Sequence, residues 1–408
     1  MRFVFVTDEL PVPGQAGHLA LNHEIIRWLQ NAGHGVVVLL VGARLPGPCT
    51  RYTLAQVAGP RVKSLGPYVL PASPKTALRL AARAGLNALP ARLAERLRSA
   101  RHGADAILGR HASPRDNAWC AGYIKKNPPD AVLIDTIFRA GLLAAPELTG
   151  MNSVLVAHDV FHRRHQALRS AGYRIVPAEL TQAEETAWLA QASHIVAIQP
   201  EEARLITAMC PGRDVFTAPM PALPCPPPAA SARIPGRLVF IGSASLPNLD
   251  GLRWFFNEVW PHLAGHGVSL DLVGDCAAAL RQLPRGVSPL GRVANLAPVL
   301  HRAALAIAPL RVGSGLKIKL LDYARHGLFT VATPASLEGF AADAQAPFLR
   351  AADAQDFAAG ILAACASQAP PEPALAYAQR HYGVETSFHE LARALQIPDT
   401  KNSKTICI

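Results

Sequence analysis

Residues 309–333 read PLRVGSGLKIKLLDYARHGLFTVAT, and this stretch predicts the fold. A short apolar run, Ala304–Ala308, leads into it, and a second run, Phe329–Ala332, ends it. Between them lie a glycine-rich turn and a segment with helical spacing of apolar residues, closed by Gly327. The order strand, glycine loop, helix, strand is typical of a parallel β-α-β unit. In such a unit the loop lies at the carboxyl end of the first strand, where parallel sheets bind their ligands, and its glycines and helix N-terminus favour a phosphate.

The charged residues after the glycines fall into two groups. If the helix begins near Leu316, Lys319 and Asp322 share one helical face with Gly315 through i, i+3 and i+4 spacing. A cation and a carboxylate on one face suit a nucleotide sugar, with Lys319 on the diphosphate and Asp322 on the ribose hydroxyls. The alternative is an ordinary salt bridge on a surface helix, and this is what we expect for Lys317.

Short apolar strands alternate with helices along the chain, which predicts parallel sheets covered on both faces.

The segment after Pro219, MPALPCPPPAASARIPG, is rich in proline and lacks periodicity, so it indicates a linker between two domains. A helix is expected over Leu249–Trp260, with Asn248 as its N-cap. The predicted fold class is therefore α/β, with two doubly wound, Rossmann-like domains that face each other across a cleft. The predicted parts are a first domain over residues 1–220, the linker over 221–236, a second domain over 237–378, a helix over 379–397 that packs back on the first domain, and a flexible tail over 398–408.

Several classes of site lack their sequence signature. The turn after the first strand, TDELPVPGQAGH, contains Gly14 and Gly17 without GxGxxG spacing, and no Walker sequence GxxxxGK[ST] occurs. There is no Asp-x-Asp pair and no His/Cys cluster with the spacing of metal ligands, so no metal is predicted. The seven cysteines are scattered without a CxxC pair. Together with the absence of a signal-peptide pattern and of a long apolar run, this predicts a cytoplasmic protein with reduced thiols.

The formal net charge of +11 is concentrated between Lys75 and Arg115, which holds nine Lys or Arg against two acids. Two interpretations stay open: a basic amphipathic helix on an anionic membrane surface, or a solvated basic face over an ordinary core stripe. Nucleic acid is not expected as a partner, because aromatic residues hardly interleave with these arginines. The apolar stripe comprises Leu93, Leu97, Ala100, Ala104 and Leu108, and the arginines outside it are Arg92, Arg96 and Arg98.

Five segments of the second half occur in the order and approximate spacing of one family. They are FIGSASLPNLDGLRWFFNEVWPHL (240–263), LDLVGD (270–275), LGRV (290–293), IAPLRVGSGLKIKLLDYARHG (307–327) and EGF (338–340). Together they resemble the nucleotide-sugar domain of the family 4 retaining glycosyltransferases (glycosyl transferases group 1), which have the GT-B fold. The first half resembles this family more loosely, through the glycine loop after the first strand, GHGVVVL at the second strand, and VAHDV at 156–160.

The resemblance implies a set of donor-binding residues. Many relatives carry two glutamates separated by seven residues, and the second of them holds the donor ribose. Asp322 takes the position of this second glutamate. Ser314 takes that of the first, as in a subgroup in which loop amides replace a carboxylate beside the sugar. The arginine and lysine that often follow the first strand of this domain are missing from GSASLPN, which leaves the diphosphate to Lys319, Arg311 and the loop amides. The implied donor set is Gly242, Arg311, Gly313, Ser314, Gly315, Leu316, Lys319 and Asp322.

In the first half, His158 matches the histidine that faces the donor hexose, and Asp159 is its expected orienting partner. Gly14 and Gly17 would let the first loop close over the hexose, with His18 beside them.

The resemblance implies transfer of a sugar from a nucleoside diphosphate sugar to an acceptor, with retention of configuration and without a metal or other cofactor. The acceptor would be a glycan, a lipid-linked saccharide or a small molecule, as in polysaccharide biosynthesis, bound by residues 1–220, while residues 237–378 would bind the donor. If the basic segment at 75–115 lies on an anionic membrane surface rather than forming a solvated face, the protein would be peripheral on the inner face of a membrane. Two alternatives remain: a GT-B epimerase or sugar phosphorylase, and a non-catalytic GT-B binding module.

Overall fold

The computed structural model describes residues 1–12, 17–88, 106–170, 172–228, 233–280, 282–313, 316–367 and 369–398. Gly14, Ser314, Gly315, the basic and apolar positions 92–104 of the predicted amphipathic helix, and the predicted tail from 399 onward lie outside these residues. The chain divides into two compact units. Unit 1 comprises Met1–Pro219 and the chain from Phe388, and unit 2 comprises Met220–Ser387.

The strands of unit 1 form one large parallel sheet and two small sheets. The described strands are β1 Arg2–Glu9, β2 Gly35–Arg44, β3 Thr50–Arg51, β4 Gln56–Ala58, β5 Val62–Leu65, β6 Tyr68–Pro71, β7 Ala106–Ile107, β8 Ala131–Asp135, β9 Ser153–Val156, β10 Ile175–Val176, β11 His194–Ala197 and β12 Asp214–Thr217. The large sheet has the order β12-β11-β9-β8-β1-β2-β4, and all its pairs are parallel. Strands β3, β6 and β5 form an antiparallel sheet, and β7 pairs with β10.

The central strand β1 shows why these runs are uniformly apolar. Its residues Phe3–Val6 are each at most 2 % exposed. Val4 and Val6 pack into the cluster with Ile124 on one face, while Phe3 and Phe5 point to the other face. Both faces are therefore covered, as the lack of polar alternation in the sequence predicts.

Helices cover the sheet of unit 1, and their starts are set by the sequence. Pro114 occupies the first turn of α3, and the Ser113 hydroxyl accepts a hydrogen bond from the Asp116 N–H. Thr181 and Glu184 form a capping box at α5. The described α-helices of unit 1 are α1 Gly17–Asn31, α2 Pro74–Ala88, α3 Pro114–Lys126, α4 Phe161–Ser170, α5 Gln182–Leu189 and α6 Pro200–Met209, with 3₁₀ turns at Ile137–Ala144 and Pro146–Leu148.

Unit 2 contains a second parallel sheet. Its described strands are β13 Arg237–Ile241, β14 Ser269–Val273, β15 Val287–Gly291, β16 Leu305–Ala308, β17 Thr330–Ala332 and β18 Phe348–Arg350. The order β15-β14-β13-β16-β17-β18 is the Rossmann order 3-2-1-4-5-6. Leu238 and Phe240 pack on one face of the sheet and Val239 on the other, so both faces have an apolar core. The predicted α/β class with two doubly wound, Rossmann-like domains is confirmed.

The described α-helices of unit 2 are α7 Leu246–Trp254, α8 Trp260–Leu263, α9 Ala297–Arg302, α10 Ile318–Arg325, α11 Ala354–Ser367 and α12 Glu372–Tyr382, and α13 Val384–Ala394 passes from unit 2 into unit 1. A π-helical turn, Phe255–Val259, joins α7 to α8, and 3₁₀ turns lie at Ala277–Ala279 and Pro334–Ser336. The prediction that Asn248 is an N-cap is wrong. Helix α7 begins at Leu246 with Pro247 in its first turn, which places Asn248 inside the helix.

The described part of the proline-rich segment is bonded to unit 2. Ala222 N–H donates to the Tyr382 carbonyl at 2.7 Å, Cys225 N–H to the Arg325 carbonyl at 2.6 Å, and Ile234 N–H to the Arg302 carbonyl at 2.9 Å.

No helix among the described residues has the length and apolar character needed to cross a lipid bilayer.

Candidate functional site

Among the described strands, the large parallel sheet of each unit has one place where the strand order reverses, and ligands of doubly wound sheets bind there. In unit 2 this place lies between β13 and β16, so the residues after Ile241 and after Ala308 meet at one edge. In unit 1 it lies between β1 and β8, so the residues after Val6 and after Ile134 do the same.

Lys319 is the central charged group at the reversal point of unit 2. Its Nζ donates a hydrogen bond to Asn248 Oδ1 at 2.5 Å and lies 4.1 Å from the centroid of the Phe240 ring. This position removes water from the ammonium, and burial, helped by the charge of Lys317, lowers its pKa to about 7. Near neutral pH, Lys319 is therefore present both as the ammonium and as the neutral amine.

The neighbours of Lys319 leave no room for a side chain at position 242. A Cβ on Gly242 would lie 2.6 Å from Phe240 Cε1 and 3.0 Å from Asn248 Nδ2. Asn248 is buried and donates from Nδ2 to the Ser243 carbonyl at 3.0 Å, which leaves its Oδ1 directed at Lys319. The Asn248 amide thus holds the loop after β13 instead of capping a helix.

The glycine loop after β16 is closed by a lysine. Gly313 is exposed and has a φ of +124°, a conformation that side chains rarely adopt. The Lys317 ammonium donates to the Gly313 carbonyl at 3.1 Å, and Lys317 is only 8 % exposed. The expectation of a surface lysine at 317 is therefore wrong. The helix begins at Ile318, two residues after Leu316, and this later start leaves Lys317 at the N-cap position beneath the loop.

The other predicted donor residues have arginine or aspartate partners. Arg311 Nε and Nη2 donate to Asp250 at 3.2 and 3.1 Å in an exposed pair. Asp322 accepts from Arg325 Nε at 3.1 Å, and burial raises the pKa of Asp322 while the Arg325 charge opposes that rise. Lys319 and Asp322 thus lie one helical turn apart with different partners. Leu316 is buried, and Ser314 and Gly315 are outside the described residues.

His158 and Asp135 form the charged centre at the reversal point of unit 1. His158 Nε2 lies 3.1 Å from Asp135 Oδ1 and 3.0 Å from Asn22 Oδ1, so this nitrogen carries a hydrogen and faces two acceptors. Asp135 Oδ2 accepts from the Thr7 hydroxyl at 2.7 Å. All four groups are buried, and the His18 ring stands edge-on to the His158 ring at 5.8 Å between centroids.

The charge on Asp135 is stabilised from several sides. Burial alone would raise its pKa, but the hydrogen bond and charge of His158, together with the charges of His18 and Arg139, lower the pKa of this carboxyl well below its usual range. Arg139 also reaches Asp8 Oδ1 at 3.3 Å. The result is a buried carboxylate that stays ionised and holds the imidazole of His158.

Two residues at this edge have unusual main-chain conformations. Thr136 has a φ of 61° with ψ 164°, and His158 has a φ of 62°. Such conformations cost about 1–3 kcal/mol and cluster at functional sites, where the surrounding structure enforces them. The strain therefore supports the assignment of His158 to a working site.

Asp159, the predicted partner of His158, is bonded to a different residue. Asp159 Oδ2 accepts from Arg164 Nη1 at 2.8 Å, and the carboxylate that reaches His158 Nε2 is Asp135. The N-terminus of α4 is bonded to the buried Glu185, which accepts from the N–H groups of Phe161 and His162, both at 2.8 Å. Gly17 begins α1 and is exposed.

Sequence reasoning missed Asp135, Asn22, Asn248 and Phe240. Asp135 had a readable signal, because it is an acidic residue directly after the buried run Ala131–Ile134. Asn22 had none, since one asparagine on an amphipathic helix is indistinguishable from an ordinary surface residue.

Comparisons with known proteins agree with this architecture. Residues 235–367 match the family model described as "Glycosyl transferases group 1". No curated protein sequence matches the chain. Similar solved structures include a sucrose-phosphate synthase from Thermosynechococcus elongatus, at TM-score 0.67 and 14 % identity over 97 % of this chain and 98 % of that one.

Two further structures were solved with ligands. A mutant of TarM from S. aureus, in complex with fondaparinux, alpha-GlcNAc-glycerol and UDP, has a TM-score of 0.64 and 10 % identity over 97 % of this chain and 99 % of that one. HepE from Anabaena, in complex with UDP-glucose, has a TM-score of 0.60 and 12 % identity over 97 % and 99 %. At these identities the likeness shows the fold. The fold is that of the GT-B glycosyltransferases, and residues 235–367 match their group 1 domain, which together support a glycosyltransferase.

Proposed function

We propose that this protein is a retaining glycosyltransferase that moves a sugar from a nucleoside diphosphate sugar to an acceptor. The observation that carries the proposal is Lys319, a partly buried ammonium at the strand-order reversal of the domain that matches glycosyl transferases group 1. A cation in a position with little water binds an anionic ligand more strongly than a fully solvated cation does.

The donor diphosphate would bind Lys319 and the main chain around Gly242 and Gly313. Gly242 has no side chain that would crowd Phe240 and Asn248, and Gly313 has a φ of +124° that favours glycine. Asp322 would accept hydrogen bonds from the ribose. HepE was solved with UDP-glucose, which makes a uridine diphosphate sugar the first donor to test.

In unit 1, His158 would orient the transferred sugar and stabilise charge on it. Its Nε2–H is directed by Asp135 and Asn22, and the strained main chain holds the ring in one place. We assign no side chain as a covalent nucleophile, because the buried Asp135 carboxylate accepts from Thr7 through Oδ2 and lies 3.1 Å from His158 Nε2 through Oδ1. The positive charge needed by the departing diphosphate would come from Lys319 and Arg311, so we propose that transfer itself needs no metal.

The test compares donor binding by the wild type, Lys319→Ala and Lys317→Ala over a panel of nucleotide sugars. Lys319→Ala should weaken donor binding at least about tenfold, because a charge-assisted hydrogen bond contributes about 1.5–3 kcal/mol. The same variant should unfold at a higher temperature, since a buried ammonium costs stability. Lys317→Ala should bind the donor less well and also unfold at a lower temperature, because it releases the Gly313 carbonyl.

Arg350→Ala, an exposed cation on β18 of the same unit, serves as the control and should bind like the wild type. If no nucleotide sugar binds the wild type, the proposed function is wrong. If a donor binds and no acceptor releases the nucleoside diphosphate, the protein is a binding module rather than a transferase. Membrane association through residues 75–115 stays a prediction, since 89–105 are outside the described part of the chain.

A further inference from the structure

A second cluster of side chains lies in unit 2 and has no part in the site built around Lys319. Cys225, His301 and His326 each offer one ligand atom, and these atoms all lie within 4.8 Å of one another. Cys225 belongs to the proline-rich segment, His301 to α9, and His326 follows the last residue of α10. The two histidines are buried and the cysteine is half-buried.

Both imidazoles already have the hydrogen bonds that metal-binding histidines need. His326 Nδ1 lies 2.8 Å from the Asp322 carbonyl oxygen, and His301 Nε2 lies 2.9 Å from the Cys225 carbonyl oxygen. A carbonyl oxygen only accepts, so each of these ring nitrogens carries the hydrogen. In the neutral imidazole the other nitrogen then holds a lone pair, which is the tautomer that a metal requires.

We propose that Cys225, His301 and His326 bind a zinc ion. One thiolate and two imidazoles are a ligand set that zinc accepts, and a water would complete a tetrahedral site. Binding forms a zinc–sulfur bond and releases the thiol proton to solvent. The charge balance also suits zinc, since the thiolate offsets one of its two charges and the nearby Arg325 is paired with Asp322.

The zinc ion would fasten the proline-rich segment to the end of α10. Cys225 N–H already donates to the Arg325 carbonyl at 2.6 Å, so the segment lies in place before the metal binds. The first turn of α10 carries Lys319 and its last turn carries Asp322. The site is therefore structural, and its effect on α10 would be to hold the helix that presents the donor-binding residues.

The experiment uses Co²⁺ as a spectroscopic probe and Zn²⁺ in competition with a chromogenic chelator. The full chain, reduced and freed of metal, should bind one equivalent of Co²⁺ with a thiolate-to-cobalt charge-transfer band and tetrahedral d–d bands, which Zn²⁺ displaces. Cys225→Ser should lose the charge-transfer band and bind Zn²⁺ at least about tenfold more weakly. The control is Cys365→Ser, which removes another half-buried thiol of unit 2 and should behave like the wild type.

A second variant, His326→Asn, keeps the thiol and removes one imidazole, so it should also lose the tetrahedral spectrum. Zn²⁺ should raise the unfolding temperature of the wild type by more than that of Cys225→Ser. The proposal is wrong if the wild type binds no Co²⁺, or if Cys225→Ser keeps the charge-transfer band. None of these readouts depends on glycosyl transfer, so the outcome is independent of the proposed function.

Discussion

Raising the pH above 7 should weaken binding of the nucleotide sugar. Burial beside Phe240 and Asn248 lowers the pKa of Lys319 to about 7, so the ligand-free protein loses this ammonium as the pH rises. The diphosphate of the donor is an anion that binds the ammonium and gains little from the neutral amine. Above pH 7, binding must therefore take up a proton, and each increase in pH makes that uptake more costly.

The size of the effect follows from the pKa. With a value of about 7, the ammonium form makes up about 90 % of the free protein at pH 6, about 9 % at pH 8 and about 1 % at pH 9. The dissociation constant should rise roughly tenfold per pH unit above 7, and roughly 50-fold between pH 7 and pH 9. The groups that face this ammonium are Lys317 and the Cys276 thiol, whose own pKa is raised by burial, so the thiol stays neutral over most of this range.

Isothermal titration calorimetry in two buffers of different ionisation enthalpy measures the proton uptake directly. We expect about 0.9 protons per donor bound at pH 8 and about 0.1 at pH 6. Lys319→Arg keeps its charge at every pH and serves as the control, with binding that does not depend on buffer. An affinity of the wild type that is constant from pH 6 to pH 9 would show that Lys319 does not hold the diphosphate.

The same pKa predicts the opposite trend for stability of the free protein. The unfolded lysine has its ordinary pKa of 10.5, so between about pH 7 and 10.5 the unfolded chain holds more protons than the folded chain. Lys319 then contributes a rise in unfolding free energy with pH, of at most about 1.4 kcal/mol per unit. Lys319→Met should remove this rise, which denaturant titrations at pH 7 and pH 9 can check.

Two further predictions concern the groups around the two reversal points. Asp135→Asn should lower the unfolding free energy at pH 7 by about 1–3 kcal/mol, because one amide cannot accept from both Thr7 and His158. Since its partners outweigh burial and lower the pKa of Asp135, this contribution is present above the unfolded value of about 4 and is lost as the pH falls below it. The difference between wild type and variant in denaturant unfolding should therefore shrink at pH 3, and an equal difference at both values would contradict the charge argument. Gly274→Ala should destabilise unit 2 by about 1–3 kcal/mol and weaken donor binding, because Gly274 has a φ of +96° and its Cβ would lie 2.3 Å from the Gly242 carbonyl oxygen. Gly265→Ala is the control, because Gly265 also has a positive φ, of +84°, but no atom lies within 4 Å of an added Cβ. If Gly274→Ala and Gly265→Ala bind the donor equally well, the Gly242 contact has no role in donor binding.

The sequence predicts those parts of the fold that depend on local pattern. Buried parallel strands need apolar residues on both faces, so runs such as Phe3–Val6 and Leu238–Ile241 are visible without a structure. Weakly apolar edge strands such as Val287–Gly291 are not, because their side chains stay largely exposed. The pattern of a short strand followed by glycines points to the loop before Lys319, while the family resemblance is what implies that Gly242 shares its site.

Long-range pairing accounts for what the sequence could not predict. His158 meets Asn22 across 136 residues, and Lys319 meets Asn248 across 71, and no periodicity reports such distances. Lys317 became a buried residue because the helix starts two positions later than its pattern indicates. The cysteine and the two histidines of the proposed zinc site have no metal-ligand spacing in the sequence, because His301 is 76 residues from Cys225 along the chain.

The division of unit 1 between two stretches of the chain has a consequence for biosynthesis. The Phe388 ring packs against Trp28 at 5.1 Å between centroids, and Asn152 donates to the Ala394 carbonyl at 2.8 Å. At about 5–20 residues per second, a ribosome needs roughly 8–34 s to translate the 168 residues from Met220 to Ser387 that separate the two stretches. During that interval Trp28 lacks its partner, while unit 2 has its whole sequence before Phe388 is added. We therefore expect nascent chains to expose apolar surface around Trp28, and to depend there on chaperones, until the helix that carries Phe388 leaves the exit tunnel.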